Sequence, residues 1–305
     1  MKKILKFSWI IITLFISCQT APQTPGEFME EASYIPLDNG ASAYIFADVK
    51  QARPILDLLP INELNDRQAL RMIDRTDFLA AAIFPAEDGR RFQLAAWGNY
   101  PSFGAGLALG FNRYWKRQRS AAGNYWYSQA NRLSMTLTPT QAFVAASATA
   151  VPESPVPSAP GIEPPEGFGE FRRESPLSCW LEDPAQLLNR ILNMNGIPIR
   201  VPAQQLFVNF FIAPENQYEA VIRLQFESPA QARAIAAALS LARNFVPEPP
   251  PRLGHSGEET QVDPASLFLM LFFANPPVQN NRSLDIKTAP MTDGEMVMLF
   301  QKLLN

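Results

Sequence analysis

The sequence predicts an α+β chain folded as two similar halves, and three observations predict it. Apolar residues recur with a period of two in some stretches and of about 3.6 in others. The two kinds of stretch follow one another in the same order in both halves of the chain. Between the halves, Thr149–Gly167 holds six Pro and two Gly in 19 residues. Proline removes a backbone donor and fixes φ, so this stretch is expected to be an extended linker or an external loop. It separates an N-terminal domain, 34–148, from a C-terminal domain, 168–305.

In the first half AYIFADV alternates as a short strand, and KQARPILDLL and NDRQALRMIDR follow with helical spacing. Leu70 and Ile73 share a side of the second helix, and Asp66 stands where a cap would stand. DFLAAAIF is apolar on both faces, meets the Asp-Gly turn of PAEDGR, and returns as RRFQLAAWGNY, a hairpin pattern. PSFGAGLALGFNRYW resumes helical spacing. NYWYSQANRLSMTLT alternates again, with Leu133, Met135 and Leu137 opposite Arg132, Ser134 and Thr136, and QAFVAAS closes the half as a strand.

The second half opens with the strand SPLSCWL. Asp183-Pro184 then reads as a cap and first-turn proline before a helix carrying Leu187, Leu188, Ile191 and Leu192. QQLFVNFFIA turns through PENQ into YEAVIRLQFE, where Tyr218, Ala220, Ile222, Leu224 and Phe226 alternate with polar residues. Ser228-Pro229 starts a helix with Ile235, Leu239, Ala242 and Phe245 on one stripe. The strand SLDIKTA and the amphipathic MTDGEMVMLFQKLL finish the chain. Each half therefore reads strand, helix, hairpin, helix, strand. That is the ferredoxin-like β-α-β-β-α-β order, and its recurrence suggests an internal repeat.

The first 20 residues do not belong to this pattern. Lys2, Lys3 and Lys6 form a cationic head, and Phe7–Ile16 is apolar apart from Ser8 and Thr13. Ten helical residues at about 1.5 Å each reach only half of a ~30 Å hydrocarbon layer, so this is a signal-peptide pattern (1–17) and not a span. LFISC at its end resembles a bacterial lipobox, of the kind found in uncharacterised bacterial lipoproteins. The resemblance implies cleavage after Ser17 and acylation of Cys18, by a diacylglyceryl group on the thiol and a fatty acid such as palmitate on the amine. It places the protein in the cell envelope. Gln19 after the cysteine implies the outer membrane of a two-membrane cell, on its periplasmic or surface face. Gln19–Ser33 is polar, with two Pro and a Gly, and reads as the end of an 18–33 flexible tether.

Without the 17 leader residues and their three Lys, 288 residues remain, with 23 basic against 29 acidic side chains, a net of −6. Such a balance gives nucleic-acid binding no support. Tyr34–Ala148 holds 12 basic and 9 acidic residues, and Thr149–Asn305 holds 11 and 17. With Cys18 acylated, Cys179 is the only other thiol, so no intramolecular disulfide is expected.

The inventory argues against an enzyme. A lone histidine, His255, excludes a His/Cys zinc cluster, and GHSG around Ser256 lacks the nucleophile-elbow spacing. Gly104, Gly106 and Gly110 miss the dinucleotide-binding spacing by one residue and suit close helix packing instead. Asp74 with Asp77, and Glu87 with Asp88, flank turns. No cofactor, metal or catalytic residue is expected, and a degenerate hydrolase would have no candidate trio.

Two stretches carry binding expectations. Pro264–Ala274 is apolar on every side after Asp263. Its Leu267, Phe268, Leu271, Phe272 and Phe273 fit either a central core helix or a contact with a bilayer or an apolar ligand. In Asn112–Tyr127 the cations Arg113, Lys116, Arg117 and Arg119 are interleaved with Tyr114, Trp115 and Trp126, which suits a membrane interface, a glycan or a single strand; cations at the end of a helix followed by strand-forming aromatics account for the same pattern structurally. The expected protein is a non-catalytic binding or scaffolding body held at a membrane by lipidated Cys18. Its expected partners are the membrane and an envelope protein, or an apolar ligand if it is a lipid carrier or sensor.

Overall fold

The computed structural model describes residues 35–58, 73–85, 90–147, 152–157, 161–173, 175–194, 197, 199–243 and 271–304. Helix and strand are mixed, as an α+β chain requires, and the described residues form two compact units that divide at Leu177/Ser178.

The first unit contains β1 (Ala43–Asp48), α1 (Arg53–Leu56), β2 (Thr76–Ile83), β3 (Arg90–Gly98), α2 (Ser102–Phe111), β4 (Lys116–Ser120), β5 (Gly123–Ser128), β6 (Leu133–Leu137), β7 (Gln141–Ser147) and α3 (Phe168–Arg172). Its strands lie in the order β1-β2-β3-β7-β6-β5-β4, each pair antiparallel. β2 and β3 are rich in alanine because the sheet is covered on both faces. Ala80, Ala82 and Ala95 are buried on one, Ala96, Ala142 and Ala146 on the other. α2 packs on the second face through Ala105 and Leu109, against Leu133, Met135 and Ala146.

The first face is covered by the proline-rich stretch. Ile35 and Ile162 exchange two backbone hydrogen bonds of 2.9 and 2.8 Å, and Gly161 before that pair has φ +106°. A β-carbon there would collide with the Ile35 carbonyl, which only glycine avoids. Buried Gln93 binds both covering segments. Its Oε1 accepts from the Asp38 N–H at 2.7 Å and its Nε2 donates to the Pro155 carbonyl at 3.0 Å. Phe168 packs on Phe46 with ring centroids 5.3 Å apart, and the Arg172 guanidinium lies 5.3 and 5.1 Å from the rings of Phe46 and Phe78.

The second unit contains β8 (Leu177–Glu182), α4 (Ala185–Met194), β9 (Gln205–Ala213), β10 (Gln217–Gln225), α5 (Pro229–Arg243), β11 (Val278–Asn280), β12 (Ser283–Lys287) and α6 (Asp293–Leu304). Its strand order is β11-β12-β10-β9-β8. The core gathers Leu188 and Leu192 of α4, Ile235 and Leu239 of α5, Leu224 of β10 with Phe226 just after it, and Leu284 and Ile286 of β12. Local signals act as their chemistry requires. Ser228 Oγ accepts from the Gln231 N–H, and Thr292 with Glu295 forms a reciprocal capping box at the start of α6. Arg223 and Asp285, opposite one another on β10 and β12, pair through two hydrogen bonds of 2.7 and 2.8 Å.

Three expectations are corrected. The ferredoxin-like order sets the first and third strands of each half side by side, and these ladders do not confirm it. Instead β1-β2-β3 and β8-β9-β10 are neighbours in chain order, and β4 and β11 add strands the pattern did not show. The division falls at Leu177/Ser178, not within 149–167, because Ile162 and Phe168 are buried in the first unit. The helix of PSFGAGLALGFNRYW ends at Phe111, and NYWYSQANRLSMTLT is two strands joined by a turn. The tether, most of the helix NDRQALRMIDR with Asp66, and the turn PAEDGR lie outside the described residues.

Replacing Gln93 by Leu keeps the volume and removes both clamping hydrogen bonds. A loss of about 1–3 kcal/mol is expected, read as a lower denaturation midpoint in urea at unchanged slope. An unmoved midpoint would show that the amide holds nothing.

Candidate functional site

The sequence of α2, SFGAGLALGF, contains no charged residue. Ala105 and Leu109 occupy its inner side, and at about 100° per residue Phe103, Leu107 and Phe111 fall on the opposite side, roughly 180° away. They are 79%, 49% and 89% exposed. Scattered apolar side chains are common on protein surfaces, but three at a spacing of four on one helix form a continuous ridge. Gly106 and Gly110 do not serve as packing notches. A β-carbon at 106 would meet nothing, and one at 110 would touch Trp126 at an ordinary 3.6 Å.

The chain leaves this ridge through two exposed residues, Arg113 and Tyr114. Arg113 Nη2 donates to the Tyr114 hydroxyl at 2.7 Å, and its guanidinium carbon lies 4.8 Å from the ring centroid. Trp115 turns inward and is buried against the α2 core. Lys116, Arg117 and Arg119 then form β4, an exposed edge strand, not the end of a helix. Charged side chains on an edge strand discourage pairing with another chain, which gives these residues a structural use of their own. The register decides which way they face. Arg117 lies opposite Trp126 and Arg119 opposite Asn124, on the sheet face that carries α2, whereas Lys116 lies opposite Tyr127 on the other face. The structure thus brings Arg117 and Arg119 to the sheet face that carries α2, with Arg113 and Tyr114 just past the C-terminal end of the ridge and Trp126 half-buried against the inner cluster.

Two signals for this site escaped the sequence reading. The ridge was hidden because α2 is apolar all round, and spacing alone does not say which side of such a helix faces out. The second lies in plain view. From Gly89 to Pro152 there is no Asp or Glu, while Arg90, Arg91, Arg113, Lys116, Arg117, Arg119 and Arg132 supply seven cations. Averaging charge over the whole half had diluted it.

Of the other expected contact surface, three residues are described. Leu271, Phe272 and Phe273 are buried, and the latter two pack among Leu188, Ile235 and Leu239 with their own rings 5.2 Å apart. This answers the choice for these three in favour of a core segment. Leu267 and Phe268 lie outside the described residues, as do Cys18, His255 and Ser256. Of the sequence-paired acids, Asp74 binds Arg53 at 2.6 Å and Asp77 binds Lys50 at 2.5 Å, both in ion pairs, and Glu87 with Asp88 is outside the described residues. Among the described residues no three His, Cys, Asp or Glu gather as metal ligands would, and no helix is long and apolar enough to cross a membrane.

On the opposite sheet face Tyr125 and Tyr127 are buried, which raises both phenols; Glu153 adds to this at both, while Arg132 works against it at Tyr127. Among the described residues the Tyr127 hydroxyl has no hydrogen-bond partner. Cys179, on β8, is half-buried, and desolvation by its surroundings pushes its thiol up to about 12.

The chain matches no known protein-family model and no curated protein. Its fold is similar to that of TP0453 in several crystal forms. With form I the TM-score is 0.56 at 17% identity, covering 90% of this chain and 99% of that one. With form III it is 0.56 at 15% identity, covering 89% and 100%. At such identity the likeness is one of fold.

A thiol with so high a pKa holds almost no thiolate at neutral pH. Cys179 is therefore expected to resist maleimide and iodoacetamide at pH 8 in the folded acylated protein and to react fully in urea. Rapid labelling of the folded chain would contradict this.

Proposed function

We propose that this chain is a lipid-anchored protein of the cell envelope, in the outer membrane where a cell has two, with a non-catalytic binding or scaffolding body that rests on the bilayer through α2. The observation that carries the reading is the Phe103–Leu107–Phe111 ridge. Burying one such side chain stabilises by roughly 1.5–3 kcal/mol, and in water the ridge gains none of this. A bilayer interface supplies the missing apolar environment, and the neighbouring Tyr114 and cations suit its headgroup layer. Acyl chains on Cys18 anchor the protein unaided, so the ridge sets the orientation of the body and not its attachment. The 17 residues from Cys18 to Ile35 span at most about 60 Å, enough to let the first unit settle on the surface that holds its own anchor.

An apolar-ligand carrier is the weaker reading, since Phe272 and Phe273 fill the second unit's core. A catalytic role has no metal-binding cluster of His, Cys, Asp and Glu among the described residues to support it.

In cells fed radiolabelled palmitate the protein should take up label, and the Cys18→Ser variant should not. For the body, the acylated chain carrying Gly106→Cys, with Cys179→Ala so that only one thiol takes the label, is labelled at the open position 106 with an environment-sensitive nitrobenzoxadiazole dye. On vesicles the dye should report an apolar setting, and Phe103→Asp with Phe111→Asp should return it to a water-like signal without loss of fold. A signal unchanged by any vesicle would sink the membrane-contact reading. A change in buffer alone that grows with protein concentration would assign the ridge to a second copy instead.

A further inference from the structure

The membrane reading of α2 leaves open what kind of surface the ridge meets, and the charge around it answers that separately. We propose that the α2–β4 face selects bilayers with anionic phospholipid headgroups. This rests on the proposed contact of the ridge with a membrane, but a different observation carries it.

The 64 residues from Gly89 to Pro152 hold seven cations and no acid, in a chain whose mature charge is −6. Composition at that balance does not scatter cations evenly, and the register shows where some of them go. Arg117 and Arg119 stand on the same sheet face as α2, and Arg113 leaves its C-terminal end. All three are exposed. Arg113, two residues beyond Phe111, is braced against the Tyr114 ring and hydroxyl, so its guanidinium is held at little further entropic cost. Among the described residues, Arg117 and Arg119 have no ion pair. Glu153, the acid that ends the stretch, acts on Tyr125 and Tyr127 on the opposite sheet face. No carboxylate of this segment therefore competes with a lipid phosphate for these cations.

Phosphatidylcholine carries a phosphate whose charge its own choline cancels, whereas phosphatidylglycerol keeps a net negative charge. An apolar ridge alone would not distinguish the two. Cations beside it would, by about fivefold in partitioning for each cation near an anionic surface, an effect that salt screens.

The test uses the acylated chain carrying the dye at Gly106→Cys, on vesicles of phosphatidylcholine alone and of phosphatidylcholine mixed with phosphatidylglycerol. The expected result is a larger fraction of apolar signal on the mixed vesicles, falling toward the phosphatidylcholine value in high salt. Arg117→Ser with Arg119→Ser should remove most of the difference between the two kinds of vesicle. Equal signals on both vesicles would overturn the headgroup selection and leave the ridge contact standing. No signal on either would overturn both. A preference for mixed vesicles that survives both substitutions and high salt would assign the selectivity elsewhere and overturn this proposal.

Discussion

Much of the first unit depends on one buried amide. Gln93 sits on the covered face of an antiparallel sheet, where an unpaired polar group costs far more than at the surface. It discharges its two hydrogen-bonding ends on different pieces of chain, the entering segment at Asp38 and the proline-rich segment at Pro155. The two pieces are further joined at Ile35 and Ile162. Alanines at 80, 82 and 95 leave room for these segments to lie close to the sheet. A larger side chain at any of them would lift the cover and leave the amide without partners. The proline-rich stretch is thereby a roof over β1–β3.

Once that face is closed, the opposite one must be covered by something else, and α2 is what the chain supplies. Its inner side is narrow, with Ala105 and Leu109 sufficient to seal Leu133 and Met135. A helix held by so thin an apolar seam would ordinarily be polar on its outer side. This one is not, and the departure from local consistency is where a functional reading begins. The position of β4 adds to it. Strand pairing to β5 fixes Arg117 and Arg119 on the ridge side and leaves Lys116 on the other. Charge and apolar surface come together through sheet register, across residues that are not contiguous in sequence.

The sequence was most legible where local chemistry decides the outcome. Alternation from Tyr218 to Phe226 marked β10, and Ser228-Pro229 marked the start of α5. Strand neighbours were not legible, since a period of two says which face a residue takes and nothing about which strand lies alongside. β4 escaped because KRQRS carries no apolar alternation, its buried partners being supplied by β5. The proline-rich stretch misled because Ile162 and Phe168 are isolated apolar residues in a segment that composition describes as solvated. At the candidate site the cations and aromatics of 113–126 were visible in advance. The ridge beside them needed the sheet to say which side of α2 is covered.

The pairing of Ile35 with Ile162 has a mechanical meaning. It is the first contact along the described residues, so tension arriving from the N-terminal side is borne there before it reaches β1. The two reciprocal bonds form a single close pair, and the collision that Gly161 avoids keeps their strands in tight apposition. Stretching would load both bonds together, and with them the hold of the roof on the sheet.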